Sequence, residues 1–256
     1  MQICHLIITR FNIRYEKGST LAIQPNWLDE RLRLFEQFCL PSIQRQTCPD
    51  FTWLLLGDTD TPDNYKIRIE NYALQLPQLK VYWLPFADDA YHAFYRQIGH
   101  TFAQGKDILI STRLDSDDAL SANYVETIQQ AAQEGKEGIV SFPEGRQTFV
   151  QDNKSYRVRY VPNHFTSRIE RSVFETIMVF DHTQIAPNDM HVIRTDKPMW
   201  EEIVHGGNVL NDYVPKYQYY ITGFADAWDL SRRWIRFQTK RLTGFWKSHF
   251  ILAHKR

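Results

Sequence analysis

Three carboxylates stand within four positions in the segment DILISTRLDSDDAL: Asp115, Asp117 and Asp118. Like charges this close repel one another unless a cation or hydrogen-bond donors compensate them. Mg²⁺ and Mn²⁺ take carboxylate oxygens and share their remaining positions with substrate phosphates, so the set suits a metal–diphosphate site. Arg113, beside it, can pair with one of the carboxylates or with a phosphate. The plainer alternative is an acidic loop opening a helix, with Asp118 as its N-cap. An EF-hand fails on spacing: with Asp115 as position one and Glu126 as position twelve, Ala119 and Leu120 occupy a ligand position and the sharp-turn glycine position. An aspartyl-nucleophile phosphatase places its Asp-x-Asp after the first strand, whereas this one follows the fourth.

The elements that must position these acids read as alternating strands and helices. Apolar runs at Ile3 to Thr9, Phe51 to Leu56, Lys80 to Leu84, Asp107 to Thr112 and Gly138 to Phe142 are predicted strands. Between them, helical spacing predicts helices from Trp27 to about Gln46, from Pro62 to about Leu76, from Asp89 to Phe102 and from about Ser121 to Gln133. That alternation favours an α/β fold, a mostly parallel central sheet flanked by helices. Ligands of such sheets sit beyond the carboxyl ends of the strands, which is where the acidic segment falls. The second half is less regular: Phe149 to Val161 alternates as a hairpin does, and a mixed region follows to about Tyr220. No Gly/Pro/Ser linker, repeat or low-complexity tract divides the chain, which reads as one domain with an elaborated second half.

At 256 residues the chain can bury a substantial core, and its 30 basic and 30 acidic side chains leave no excess that would mark a nucleic-acid binder. Cys4, Cys39 and Cys48 are too few and too scattered for a disulfide framework or a zinc knuckle. The opening MQICHLIITRFNIR has no basic region ahead of its apolar run, and no run approaches the roughly 20 residues of a membrane helix. The expectation is a cytoplasmic protein.

Several blocks in order carry a resemblance. The stretch LPSIQRQTCPDFTWLLLGDTDTPD resembles the early part of family-2-type glycosyltransferases with the GT-A (nucleotide-diphospho-sugar transferase) fold. Together with TRFNIR, WLDERLRLFEQFCLPSIQRQT, STRLDSDDAL and PMWEEIVHGGN, it resembles the bacterial rhamnosyltransferase family over about residues 3 to 211. The resemblance implies a nucleoside pocket lined by Thr9, Arg10 and Asn12, with Asp58 on the base or ribose. It implies that Asp115 and Asp117 form the metal-binding Asp-x-Asp, with Asp118 beside them, and that Asp115 also faces the nucleotide. His205 is the expected late metal ligand, followed by Gly206 and Gly207, which permit close backbone approach. Arg10 has a physical argument of its own, since a fixed cation beside a diphosphate offers bidentate hydrogen bonds. An inverting transferase needs a base, usually a carboxylate. The family's Glu-Asp motif is not evident, leaving Glu170 and Glu202 as the candidate catalytic acids.

The implied function is sugar transfer from a nucleotide-diphospho-sugar donor to a glycan or lipid-linked acceptor, with Mg²⁺ or Mn²⁺ as cofactor. A nucleotide-binding protein without turnover and a metal-dependent phosphohydrolase are the alternatives. The expected organisation is a GT-A domain over 1–228, with a nucleotide-binding half at 1–120 and an acceptor half at 121–228, then a basic aromatic tail at 229–256. In that tail Arg232, Arg233, Arg236, Lys240, Arg241 and Lys247 interleave with Trp234, Phe237, Phe245, Trp246 and Phe250. The pattern suits either peripheral contact with the inner membrane face or a helix packed on the body with its cations solvated.

Overall fold

The apolar run expected at Ile3 to Thr9 forms strand β1 (Ile3–Arg10), in which Leu6, Ile7 and Ile8 are completely buried. A strand buried on both faces needs cover above and below, which the crossover helices of a parallel sheet supply. The structure, a computed structural model, describes residues 1–151, 153–180 and 185–205. After β1 come α1 (Pro25–Leu34), α2 (Leu40–Gln44), β2 (Thr52–Asp58), α3 (Asp63–Gln75), β3 (Leu79–Leu84), α4 (His92–Phe102) and β4 (Ile108–Arg113). The later elements are β5 (Ala119–Leu120), α5 (Tyr124–Gln133), β6 (Gly138–Ser141), β7 (Glu144–Phe149), β8 (Lys154–Arg159), β9 (Thr166–Glu170), β10 (Met190–Val192) and β11 (Trp200–Val204).

Seven strands make the central sheet in the order β10-β6-β9-β4-β1-β2-β3. Only β9 breaks the parallel run, lying antiparallel between β4 and β6. Side chains alternate across it as strand geometry requires. Ile7, Leu55 and Ile110 face Leu28, Leu32, Ile69 and Ile128 of α1, α3 and α5. Leu6, Ile8, Leu54 and Leu109 face Tyr95 and Ile98 of α4 on the other side. Each such side chain contributes roughly 1.5–3 kcal/mol by leaving water. The α/β class, with a mostly parallel sheet flanked by helices, is the architecture that the GT-A resemblance implied.

Four further strands form a second sheet in the order β5-β11-β7-β8, with β11 antiparallel to β5 and parallel to β7. Several boundaries differ from the sequence expectation. The helix expected from Trp27 to Gln46 starts at Pro25 and widens at Phe35–Cys39, where the Leu40 N–H reaches back to the Phe35 carbonyl. Pro41 follows at once, and a residue without an N–H is accommodated by such a widened turn. The hairpin expected over Phe149 to Val161 begins earlier, pairing Glu144 with Arg159 and turning after Phe149. The strand β9 lay inside the region read as mixed.

The halves expected to divide at residue 120 share the central sheet, because β9 pairs with β4. Gly206, Gly207, the rest of the acceptor half to 228 and the tail at 229–256 lie outside the described residues. No helix among the described residues is long and apolar enough to cross a membrane.

Candidate functional site: an acidic loop gathered from four elements

The loop after β4 leaves the carboxyl end of the parallel sheet next to the end of β1. It folds back at once, with the Asp118 N–H on the Asp115 carbonyl at 3.2 Å. The chain then enters β5, which pairs with β11, so Asp118 does not cap a helix as the plainer reading had it. Gln46 steadies the exit of this loop: its Nε2 donates to the Ser121 carbonyl at 2.8 Å and its Oε1 accepts the Val125 N–H at 3.1 Å. The Thr47 N–H reaches the Ala122 carbonyl at 2.7 Å. The Gln-Thr pair that carried part of the resemblance therefore fastens α2 behind the acids.

Each acid has its own partner. Arg10 Nη2 lies 3.3 Å from Asp115 Oδ1, and Arg10 Nη1 donates to the Tyr15 hydroxyl at 2.8 Å. Asp117 receives Arg31 on Oδ1 and His205 on Oδ2, both at 2.9 Å. Asp118 Oδ2 meets His164 Nε2 at 2.8 Å, and its Oδ1 accepts the Ile203 N–H at 2.8 Å.

Electrostatics separates these neighbours. Burial works to raise Asp115, but Arg10, then His164 and Arg113, hold it well below the usual carboxylate range. Burial pushes Asp118 up, and the negative charges of Asp117 and Asp115 push the same way. Burial alone would lower His164, yet its hydrogen bond and charge contact with Asp118 raise it. Asp118 and His164 thus each hold a proton more readily than a free carboxylic acid or imidazole does. A divalent cation would compete for the place of those protons, since it would offer the same pair of groups a positive partner.

Asp115, Asp118 and His164 can each offer a ligand atom, all within 4.8 Å of one another. Two carboxylate oxygens and an imidazole suit Mn²⁺ and are acceptable to Mg²⁺, so the residues present fit the cofactor that the resemblance implies.

The remaining expected residues fall in three places. Glu202 lies on β11, buried, its Oε2 accepting from Gln147 Nε2 at 2.5 Å and from the Tyr160 hydroxyl at 3.3 Å. Its neighbour Ile203 touches Asp118, so Glu202 belongs to this end of the molecule. Glu170 does not. It sits opposite Leu109, six residues before Asp115 and roughly 20 Å away at strand rise, with its carboxylate on the Glu175 and Thr176 N–H groups. That position corrects its placement beside the acids, because an antiparallel strand carries its carboxyl end to the far edge of the sheet.

Thr9 is fully buried and accepts the Trp53 indole N–H at 2.9 Å, so its side chain faces the core. Asn12 is also inside, receiving the Asp58 N–H on Oδ1 and donating from Nδ2 to Thr61 and to the Ala22 carbonyl. Asp58 is completely buried, with Arg14 Nε 2.6 Å from Oδ2 and the Asp60 N–H on Oδ1 at 2.7 Å. Arg113 donates to the Phe180 carbonyl at 2.8 Å, and burial, then the positive charge of Arg10, lowers its pKa to about 10.

Sequence reasoning missed His164, Arg14, Arg31 and Tyr15. Arg14 sits in the quoted block TRFNIR and Arg31 in WLDERLRLF, so membership of those blocks was the available signal. His164 lies in no quoted block, and its spacing from the acids carries none.

A profile of the family described as "Putative rhamnosyl transferase" matches residues 8–217. No curated protein matches the chain. Solved structures similar to it include Staphylococcus aureus TarS 1–349 in complex with UDP, at 15% identity and a TM-score of 0.46, covering 80% of this chain and 61% of that one. The same TarS segment in complex with UDP-GlcNAc is 14% identical with a TM-score of 0.48, covering 81% and 60%. This chain therefore spans about three fifths of the length of those TarS chains.

Proposed function

This chain belongs to the rhamnosyl transferase family, whose profile spans residues 8–217, and on that premise we propose that it transfers a sugar, rhamnose by the family's description, from a nucleotide-diphosphate donor to a glycan or lipid-linked acceptor. The observation that carries this reading is the meeting of Arg10, from the end of β1, with the acids that follow β4. This is the crevice beyond the carboxyl strand ends where α/β sheets take ligands.

In this reading Arg10 presents a permanent cation to the donor diphosphate, with Tyr15 fixing its orientation. Arg113, close enough to act on Asp115, adds a second positive charge. Asp115, Asp118 and His164 would hold Mg²⁺ or Mn²⁺, which when bound would stabilise charge developing on the departing nucleoside diphosphate. Asp117 and His205 flank that set. Glu202, hydrogen-bonded to Gln147 and Tyr160, would serve as the carboxylate that accepts the acceptor's hydroxyl proton. The resemblance still implies a nucleoside pocket with Asp58 on the base or ribose; Arg14 pairs with Asp58 and Asp60 beside it. Contact of the 229–256 tail with the inner membrane face of a cytoplasmic enzyme would suit a lipid-linked acceptor.

Thermal unfolding against a panel of nucleoside diphosphates, with and without Mn²⁺, tests the reading, because a ligand that binds only the native state must raise the melting temperature. A rise with one nucleotide that requires Mn²⁺ and disappears in Asp118→Asn supports it. No rise with any nucleotide at millimolar ligand, from folded protein, sinks it.

A further inference from the structure

Glu170 stands apart from the acids after β4, yet it is buried and both of its oxygens are engaged by one short segment. Oε1 accepts the Glu175 N–H at 3.0 Å and Oε2 accepts the Thr176 N–H at 3.1 Å. Thr176 is completely buried at φ 70° and ψ 157°, a region of backbone space that suits glycine and that a β-branched residue takes only under constraint. Such a conformation persists where its surroundings hold it, and it gathers at functional sites. Glu170 supplies one constraint. Gly99 on α4 supplies another: a Cβ there would collide with the Phe174 carbonyl oxygen, so the helix admits the segment only because that side chain is missing.

Beyond Thr176, the Ile177 N–H donates to Ser111 Oγ on β4 at 2.7 Å, and the Phe180 N–H closes a short turn on the Ile177 carbonyl at 3.2 Å. The Phe180 carbonyl then accepts Arg113 Nη2 at 2.8 Å. Arg168 joins the two ends a second time. Its Nη1 lies 3.2 Å from Glu170 Oε1, and its guanidinium lies 4.5 Å from the centroid of the Phe180 ring. Glu170 stands opposite Leu109 and Arg168 opposite Ser111, so the bridge follows β4 from Leu109 to Arg113, roughly 13 Å at strand rise. Arg113 needs an anchor at that end. Burial and the charge of Arg10 both act against its own charge, and two neighbouring cations swing apart unless an acceptor fixes one of them.

We propose that Glu170 is a positioning residue for Arg113: by fixing the 175–180 segment it places the Phe180 carbonyl, and through it the direction in which Arg113 presents its positive charge to the donor diphosphate. The inference rests on the nucleotide-donor reading given above, in which Arg113 supplies the second cation. Glu170 acts from the far edge of the sheet, without touching the donor. Both of its oxygens are needed, because a glutamine turns its NH₂ toward one of the two backbone donors and releases that restraint.

Titration calorimetry of inorganic pyrophosphate with Mg²⁺ into the full-length protein reads the diphosphate contact without the base, with circular dichroism confirming the fold of each variant. Arg113→Met loses a charge-assisted contact and weakens binding by about tenfold or more. Glu170→Gln weakens it by about threefold to tenfold, because Arg113 is displaced and not deleted. A double-mutant cycle separates positioning from a merely structural role. In an Arg113→Met background, Glu170→Gln changes affinity by less than about twofold, since the group it acts through has gone. If Glu170→Gln or Arg113→Met fails to fold, Arg168→Gln and Arg113→Lys close the same cycle, because Arg168 joins Glu170 to Phe180 and lysine does not reproduce the guanidinium fork. Wild-type affinity in folded Glu170→Gln, or losses that multiply in the double variant, overturns the proposal. A wild type that binds no pyrophosphate at millimolar concentration overturns the donor-site reading beneath it, and the proposal with it.

Discussion

The turns that end β2 and β4 both carry clustered carboxylates at the same edge of the parallel sheet. After β2, Asp58 is completely buried and settled by near neighbours: Arg14 binds both Asp58 and Asp60, at 2.6 and 2.7 Å, and the Asp60 N–H closes on Asp58. After β4, the three acids draw their partners from β1, α1, the segment before β9 and the end of β11. The first turn is a closed corner in which charge and donor match within the loop. In the second, compensation is distributed over the molecule, and atoms of Asp115, Asp118 and His164 that could serve a metal ion converge within 4.8 Å. Acidity alone does not tell how such a turn is settled; the reach of the compensating groups does.

The largest expected effect breaks the open side of this comparison. Asp118→Ala removes a proposed cation ligand and the acceptor for the Ile203 N–H, and turnover of the donor sugar should fall by about 10²–10³-fold, as when one stabiliser of transition-state charge is deleted. Donor hydrolysis assayed by nucleotide release reads it; a fall of less than tenfold would contradict the placement.

On the closed side, Arg14→Met strands the buried Asp58 charge and should cost about 3 kcal/mol of stability, the lower end for breaking a buried pair because Asp60 keeps water nearby. Chemical denaturation measures it, and the double variant with Asp58→Asn should recover most of the loss. If the single variant is as stable as the wild type, the corner is not closed by this pair.

On β1, between β2 and β4, lies His5, buried, with Nε2 2.9 Å from Thr112 Oγ1. Burial pushes its pKa from 6.5 down to about 3. Above pH 6.5 it is neutral in both states and adds no pH dependence. As pH falls from 6.5 toward 3, the unfolded chain gains a proton that the folded one refuses, and stability drops by up to about 1.4 kcal/mol per pH unit. Urea unfolding of wild type and His5→Gln at pH about 7 and about 5.5 isolates that slope, which should shrink in the variant.

The smallest effect is a control on α1. Arg33 pairs with Glu30 at 2.6 Å, with both side chains about half exposed. Its replacement by alanine should change stability by no more than about 0.5 kcal/mol and leave donor turnover alone. A large effect there would mean that α1 matters as a whole, not through Arg31.

Much of the frame could be read before any coordinates, for a physical reason. Strands covered on both faces, such as β1, β2 and β4, must be continuous apolar runs, and three acids packed after one of them demand a partner. The reading thinned where polar residues were buried with partners far along the chain. The strand β9, TSRIE, looks polar because Ser167 and Glu170 satisfy themselves internally: the Ser167 and Thr112 hydroxyls are 2.7 Å apart, and Glu170 takes two backbone N–H groups. Glu170 was misjudged because a sequence does not show toward which edge of a sheet a strand points. His164, Arg14 and Arg31 are single residues of common types. Each acquires its meaning only from an acid 46, 44 or about 86 positions away.

That spread in sequence also sets an order of events on the ribosome. Asp117 must wait for His205, 88 residues later, and Asp118 for His164, 46 residues later. At roughly 5–20 residues per second, the acidic loop exists for about 4–18 s after its own synthesis before its last partner is made. Meanwhile β1, β2 and β3 already have one another. The nascent chain can therefore lay down that side of its framework while the loop is still a repelling string of acids. The partners of the acidic loop thus come together only after that side of the framework can form.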